Sequence, residues 1–356
     1  MSSSIKRFFG IPSQPICRYE KTYEDGENEY LRYGLSSMQG WRENMEDSHV
    51  AFPRFDGATS FFGVYDGHGG KEVAKFCAKY FHQVLLNSED YRNGDIETSL
   101  RETFFRMDEM MSGQRGWREL AMFGGKLKKL SATIQKWIWS SRRNRDNWAT
   151  EKGLHSGFSG PQGTGSTSCV AVIRHNLVVV ANAGDSRAVL SRGAQALDLS
   201  IDHKPTLQSE IDRIERAKGS IKDGRVNGKI AITRAIGDMY YKEAALPRED
   251  RILTANPDVR TVHLTNEDEF LVIACDGLWD CMTSQEMVNC VRRHYFLVPE
   301  GHRPPLSRVC AGAINECCPR ERPRDGKGGD NMTMILVLFR QPQLNIASTS
   351  GSGSTS

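Results

Sequence analysis

The sequence predicts one α/β domain, running from Tyr23 to Arg340 and interrupted by a basic insert at about 113–163. Three observations carry this reading. Strand-like and helix-like stretches alternate between Tyr30 and Ser112. From Thr167 the chain becomes a series of short β-rich runs broken by turn residues. No segment repeats at a fixed period. The 356 residues, 38% of them hydrophobic, suffice for one large domain or two ordinary ones.

Taken in order, residues 1–29 are polar, contain Pro12 and Pro15 and hold no lasting period. They read as an extension or a first edge strand, and the domain boundary is set after residue 22. "TSFFGVYD" (59–66) is a buried strand by its length and its Phe, Val and Tyr content. In "KEVAKFCAKYFHQVLL" (71–86) the apolar residues Val73, Phe76, Cys77, Tyr80, Phe81, Val84 and Leu85 recur at a helical period, and "ETSLRETFFRMDEMM" (97–111) repeats the pattern. "TSCVAVIRHNLVVVANAGDSRAVLSRG" is three β-rich runs punctuated by His175-Asn176 and Ala183-Gly184-Asp185, as antiparallel hairpins are. A helical "LQSEIDRIERAKG" precedes "KIAITRAIGD", "EFLVIACDGLWD" and a last strand, "NMTMILVLFR". The tail 341–356, ending "NIASTSGSGSTS", lacks apolar content and reads as disordered.

Bulk features narrow the class. No apolar run approaches the roughly 20 residues of a membrane span. "MSSSIKRFFG" has no signal-peptide core, and Ser2 stands where myristoylation needs glycine. The nine cysteines include no CxxC pair, which indicates a reducing compartment, cytosol or nucleus. The net charge of +3 is uneven. Residues 114–150 hold nine Lys and Arg against Glu119 and Asp146, so the remainder of the chain is acidic.

That acidic remainder carries a pattern. Four times an aspartate stands beside a small residue at a strand-like run or a glycine-rich turn: Asp66-Gly67, Gly184-Asp185-Ser186, Asp276-Gly277 and Gly329-Asp330-Asn331. A fifth acidic pair, Glu46-Asp47, sits in "GWRENMEDSHV". One Asp-Gly is ordinary turn chemistry. Repeated carboxylates at strand ends can converge on one sheet edge, where they repel unless a divalent cation intervenes. Carboxylates, a carbonyl freed by glycine, and water are oxygen ligands that favour Mg²⁺ or Mn²⁺ over zinc. Such a set can hold two ions about 3.5–4 Å apart, the spacing used for in-line phosphoryl displacement. Arg42 could grip two phosphate oxygens, although alone it would be a surface ion pair. His68 could carry a proton, although alone it would be a turn histidine.

"RENMEDSH", "FFGVYDGHGG", "GTGSTS", "NAGDSRAVL", "ITRAIGD", "ACDGLWD" and "GGDNMTMILV" occur in the order found in the metal-dependent type 2C serine/threonine protein phosphatases. The chain resembles that family, most closely its plant members, from about Leu31 to Phe339. The resemblance implies a four-layer α-β-β-α sandwich: two antiparallel β-sheets packed face to face and flanked by helices, with the metal site at one end. It implies that Asp66 bridges two metals and Gly67 lends its carbonyl, while Asp276 and Asp330 complete the other shell. Glu46 would bind through water, and Asp47 would orient metal-bound water. Arg42 would hold the phosphate and His68 would protonate the departing Ser or Thr oxygen. Asp185 and Asp280 match positions of a third, weaker metal. Arg234 and Asp238 would be structural support. The implied reaction is attack by a metal-bridging hydroxide without a phosphoenzyme, on phosphorylated protein substrates, by a monomer. Two readings compete. A pseudophosphatase would keep the fold as a binding module, but every core ligand position is filled. A two-metal nuclease or sugar phosphatase would explain the basic insert but not seven ordered motifs, so nucleic acid is not the expected partner.

The insert departs from the compact pattern. Four of the six tryptophans (Trp117, Trp137, Trp139, Trp148) fall in it, and Leu127, Leu130, Ile134 and Trp137/Ile138 recur at near-helical spacing among lysines. This is either a helix packed on the parent domain, the favoured reading, or a basic amphipathic helix for a partner not identified. "SRRNR" could be a nuclear address. Cys275, beside Asp276, reads as a small buried strand residue. "GSIKDGRVNGKI" (219–230) lacks the tryptophan that marks hormone co-receptors among the plant members, which argues against that role.

Overall fold

The computed structural model describes residues 16–124, 161–243 and 245–340. The first fifteen residues, the Leu127–Ile138 stripe, "SRRNR" and the tail lie outside the described residues. In chain order the longer strands are β1 (Arg18–Glu27), β2 (Leu31–Gly40), β3 (Ser48–Phe52), β4 (Thr59–Tyr65), β5 (Ser168–Arg174) and β6 (Leu177–Ala183). There follow β7 (Arg187–Arg192), β8 (Gln195–Asp198), β9 (Asp258–His263), β10 (Asp268–Ala274) and β11 (Met332–Phe339). One sheet runs β1-β2-β11-β10-β7-β8, the other β9-β6-β5-β4-β3. All these pairings are antiparallel.

The layers follow from the period of two along each strand. In β4, Phe62 and Val64 join Leu35, Leu271 and Ile335 in the core between the sheets. Phe61 and Tyr65, on the opposite face, join a second core with Phe81 and Phe104. The same split divides β5, where Cys169 and Ala171 face one core and Val170 and Val172 the other. A strand buried on both faces needs no polar positions, which is why "TSFFGVY" reads as continuous. The outer core is closed by α1 (Glu72–Asn87), α2 (Ile96–Ser112) and α3 (Gln114–Phe123). α3 begins the insert and joins the helical layer through buried Leu120 and a 2.9 Å Lys79–Glu119 ion pair. Between β8 and β9 lies α4 (Gln208–Arg216). α5 (Ser284–Val291) and α6 (Leu306–Cys317) cover the first sheet. α6 presses on β2 so closely that a Cβ at Gly34 would fall 2.2 Å from the Ser307 nitrogen. β1 is an edge strand with mostly exposed, charged residues, a composition that discourages edge-to-edge association. No helix among the described residues is long and apolar enough to cross a membrane.

Antiparallel register decides what meets at one end of the sandwich. Tyr65 pairs with Ser48, and Ser168 with Ala183, so Asp47, Asp66 and Asp185 leave the second sheet at the same edge. In the first sheet Ala274 pairs with both Met334 and Arg187, and Met332 pairs with Met38. Asp276, Asp330 and the Arg42 loop therefore leave at one edge too.

Candidate active site

Each carboxylate stands just beyond a strand, where the ladder ends and the backbone can turn. Asp66 follows β4 and is held by Thr167, whose amide donates to the Asp66 carbonyl at 2.8 Å and whose hydroxyl accepts from the Asp66 amide at 3.3 Å. Asp276 opens a single helical turn, Asp276–Trp279, two residues past β10. Asp330 precedes β11 and pairs with the exposed Arg42 guanidinium. Asp47 is buried, with Oδ2 accepting from Thr333 Oγ1 at 2.7 Å, and Oδ1 has no partner. Its carboxylate, that of Asp66 and the Cys275 sulfur lie within 4.8 Å of one another. The Glu46 amide donates to Asn331 Oδ1 at 2.8 Å, and its carbonyl lies over Gly67, where a Cβ would approach to 2.5 Å. Asp185 is buried beside the cluster, while Asp280 is exposed.

The electrostatics are those of crowded anions. Burial first, then the charges of Asp276, Asp47, Asp185 and Asp330, hold Asp66 well above the usual carboxylate range. Burial, then Asp330 and Asp280, raises Asp276 to about 6. Burial lifts Asp47 to about 7 against the hydrogen bond from Thr333. Asp185 rises for the same first reason, with Asp276 next. Such a site contains an orphaned buried oxygen and offers donors that are mostly carboxylate and carbonyl oxygens; it fits divalent cations of the Mg²⁺/Mn²⁺ class.

Four features escaped the sequence reading. Lys204 Nζ lies 3.3 Å from Asp280 and 3.7 Å from Asp185, so an ammonium stands between these two carboxylates. Asn331 ties the Arg42 loop down, donating to the carbonyls of Gln39 (2.8 Å) and Asn44 (3.0 Å) while accepting from Glu46. Thr333 joins the buried shell beneath Asp47. Asp238 is more than general support: its buried carboxylate lies 2.5 Å from His68 Nε2. A patch of two-residue strands brings this about, pairing Gly67-His68 with Gly165-Ser166 and the latter with Ile236-Gly237. Gly165 makes the room, since a Cβ there would stand 2.1 Å from Asp238 Oδ2 and 2.6 Å from His68 Nε2. The segment is anchored beneath by Asp108, which accepts from the Gly237 amide at 2.8 Å and pairs with buried Lys242 at 2.6 Å.

Arg234 lies elsewhere, in a network with Glu210 (2.7 Å) and Asp258 (2.7 Å), which His203 also contacts. Burial alone would raise Glu210, but the hydrogen bond from Arg234 and the charges of Arg213 and Arg234 bring it to about 2. Cys275 is buried; its sulfur accepts from the Thr333 amide at 3.1 Å. All nine cysteines are free thiols.

Two stacked antiparallel sheets clad in helices carry at one end a convergent carboxylate cluster, an arginine and a histidine held by a carboxylate, an arrangement suited to hydrolysis of a phosphate ester. Comparison with known proteins gives the family. A model of the family described as protein phosphatase 2C matches residues 31–124 and 126–321. "Probable protein phosphatase 2C 21" of Arabidopsis thaliana is 54% identical over 329 residues, covering 91% of each chain. "Probable protein phosphatase 2C 11" of Oryza sativa subsp. japonica is 53% identical over 91% of this chain and 89% of its own. Among solved structures, the serine-threonine phosphatase 2C from Toxoplasma gondii superposes with a TM-score of 0.64 at 19% identity, covering 90% of this chain and 99% of its own. The chain belongs to the protein phosphatase 2C family, and it is a protein phosphatase.

Proposed function

We propose that the chain hydrolyses phosphoserine and phosphothreonine in proteins, using two divalent cations, Mg²⁺ or Mn²⁺. The observation that carries this is the convergence of Asp66, Asp276, Asp330 and Asp47 beside Arg42. Asp66, the Gly67 carbonyl, Asp276 and Asp330 would hold the cations, with Glu46 and Asp47 acting through water. Bound there, the cations supply Lewis acidity, lowering the pKa of water by several units and offsetting phosphate charge.

The chain's own residues do the rest. Arg42 is exposed, which leaves its guanidinium able to reach substrate, while Asp330 sets its direction. A planar guanidinium held this way grips phosphate through two oxygens. His68 donates a proton to the departing Ser or Thr oxygen, a poor leaving group without one. Its Nε2 is engaged by Asp238, so Nδ1 is the nitrogen left for the transferred proton. The buried Asp238 carboxylate fixes the orientation of the ring. Lys204 neutralises Asp185 and Asp280 and so competes with a third cation.

The test is hydrolysis of a phosphothreonine peptide by the purified chain, with Mn²⁺, with Mg²⁺ and with EDTA. Turnover that appears with either cation and disappears with EDTA is expected. No turnover from folded, cation-loaded protein would replace this reading with a pseudophosphatase.

A further inference from the structure

We propose that Cys290, His294 and Glu316 form a separate metal site of the zinc class, holding α5 to α6 away from the carboxylate cluster. Cys290 lies near the end of α5, and His294 in the π-helical turn Arg292–Phe296 that follows it. Glu316 is in the last turn of α6. The three ligand atoms lie within 4.8 Å of one another. A tetrahedral zinc ion bonds sulfur at about 2.3 Å, and nitrogen and oxygen at about 2.0–2.2 Å, which sets its ligands roughly 3.3–4 Å apart. Small side-chain rotations close that difference.

Independent features of the place point the same way. π-Turns are rare and recur at functional sites. Here the turn carries the His294 ring onto α6, with Nε2 at 2.7 Å from Glu316 Oε1. The ring lies over Gly312, where a Cβ would approach within 3.0 Å, so a larger residue would crowd the imidazole. Arg293 holds the other carboxylate oxygen at 2.7 Å, the outer-shell support that orients a ligating carboxylate. An ion pair alone needs only Arg293, His294 and Glu316. It leaves unexplained why the buried Cys290 sulfur also lies within 4.8 Å of the imidazole nitrogen and the carboxylate oxygen. A sulfur, nitrogen and oxygen triangle is a zinc-type donor set, whereas the carboxylates at the sheet ends select harder cations. Binding forms three bonds to the ion and releases the Cys290 thiol proton to solvent.

The experiment adds Co²⁺ to the full-length, reduced, chelator-treated chain and follows near-ultraviolet absorption. A thiolate bound to cobalt gives a sulfur-to-metal charge-transfer band that an all-oxygen site lacks. The band is expected in the wild type and in Cys275→Ser, to be bleached by Zn²⁺, and to be absent from Cys290→Ser. His294→Ala, at a half-exposed position, should bind cobalt at least tenfold more weakly there, and it carries the test if Cys290→Ser does not fold. No band in the wild type would overturn the proposal. So would a band indifferent to the Cys290 and His294 variants, or one lost in Cys275→Ser, which would place the cobalt in the carboxylate cluster.

Discussion

Replacing Asp238 with asparagine preserves the side chain's shape and removes its charge. The carboxylate is buried, 2.5 Å from His68 Nε2, and its other oxygen has no hydrogen-bond partner. A hydrogen bond to a charged partner contributes about 1.5–3 kcal/mol. If that contact is what holds the His68 ring in line with the departing oxygen, each 1.4 kcal/mol of lost orientation is a factor of about ten, and kcat on a phosphothreonine peptide should fall roughly 10- to 150-fold. An aryl phosphate has a leaving group that departs without a proton, so its loss should stay under about threefold. The two side chains act as a unit, so adding Asp238→Asn to His68→Ala should cost little more than His68→Ala alone. Steady-state kinetics on both substrates, with the variants confirmed folded by circular dichroism, make the measurement. Equal losses on peptide and aryl phosphate, or full additivity in the double variant, would refute the coupling of Asp238 to proton transfer.

Three further outcomes are expected. Glu210→Gln should lower stability by about 3 kcal/mol near pH 7, since a carboxylate brought from 4.5 to about 2 contributes about that much. A depressed pKa gives stability that is present above pH 4.5 and lost as pH falls through about 2, so the gap between wild type and variant in urea midpoints should shrink over that range. Lys204→Met removes the ammonium between Asp185 and Asp280, and calorimetric titration with Mn²⁺ should show the weakest site tightened about tenfold; unchanged affinity would mean that Lys204 does not compete. Gly165→Ala drives a methyl into the Asp238–His68 contact, so peptide turnover should drop at least tenfold while aryl phosphate turnover holds better.

What could be read from the chain was what depends on near neighbours. The helical period of Val73, Phe76, Cys77, Tyr80 and Phe81 marks the face that α1 buries, and the unbroken Phe61–Tyr65 run marks a strand covered on both sides. Asp66, Asp276 and Asp330 stood out because each interrupts an apolar run at its end, next to or near glycine. β1 could not be assigned from its pattern because its exposed residues have no periodic burial; its ladder to β2 defines it. The Asp238–His68 contact spans 170 residues and depends on two-residue strands too short to leave a period. Lys204 and Asn331 look like ordinary loop residues in sequence, and only the convergence of loops gives them partners.

Turnover of a phosphothreonine peptide by Asp66→Asn, beside the wild type at saturating Mn²⁺, bears most directly on the catalytic cluster. Asp66 is crowded by four other carboxylates, so neutralising it should leave the fold intact or more stable without metal. A folded variant at least a thousandfold slower than wild type, with weakened Mn²⁺ binding, is the expected result. Wild-type turnover from a folded Asp66→Asn protein would contradict the assignment of this sheet end as the metal-dependent active site.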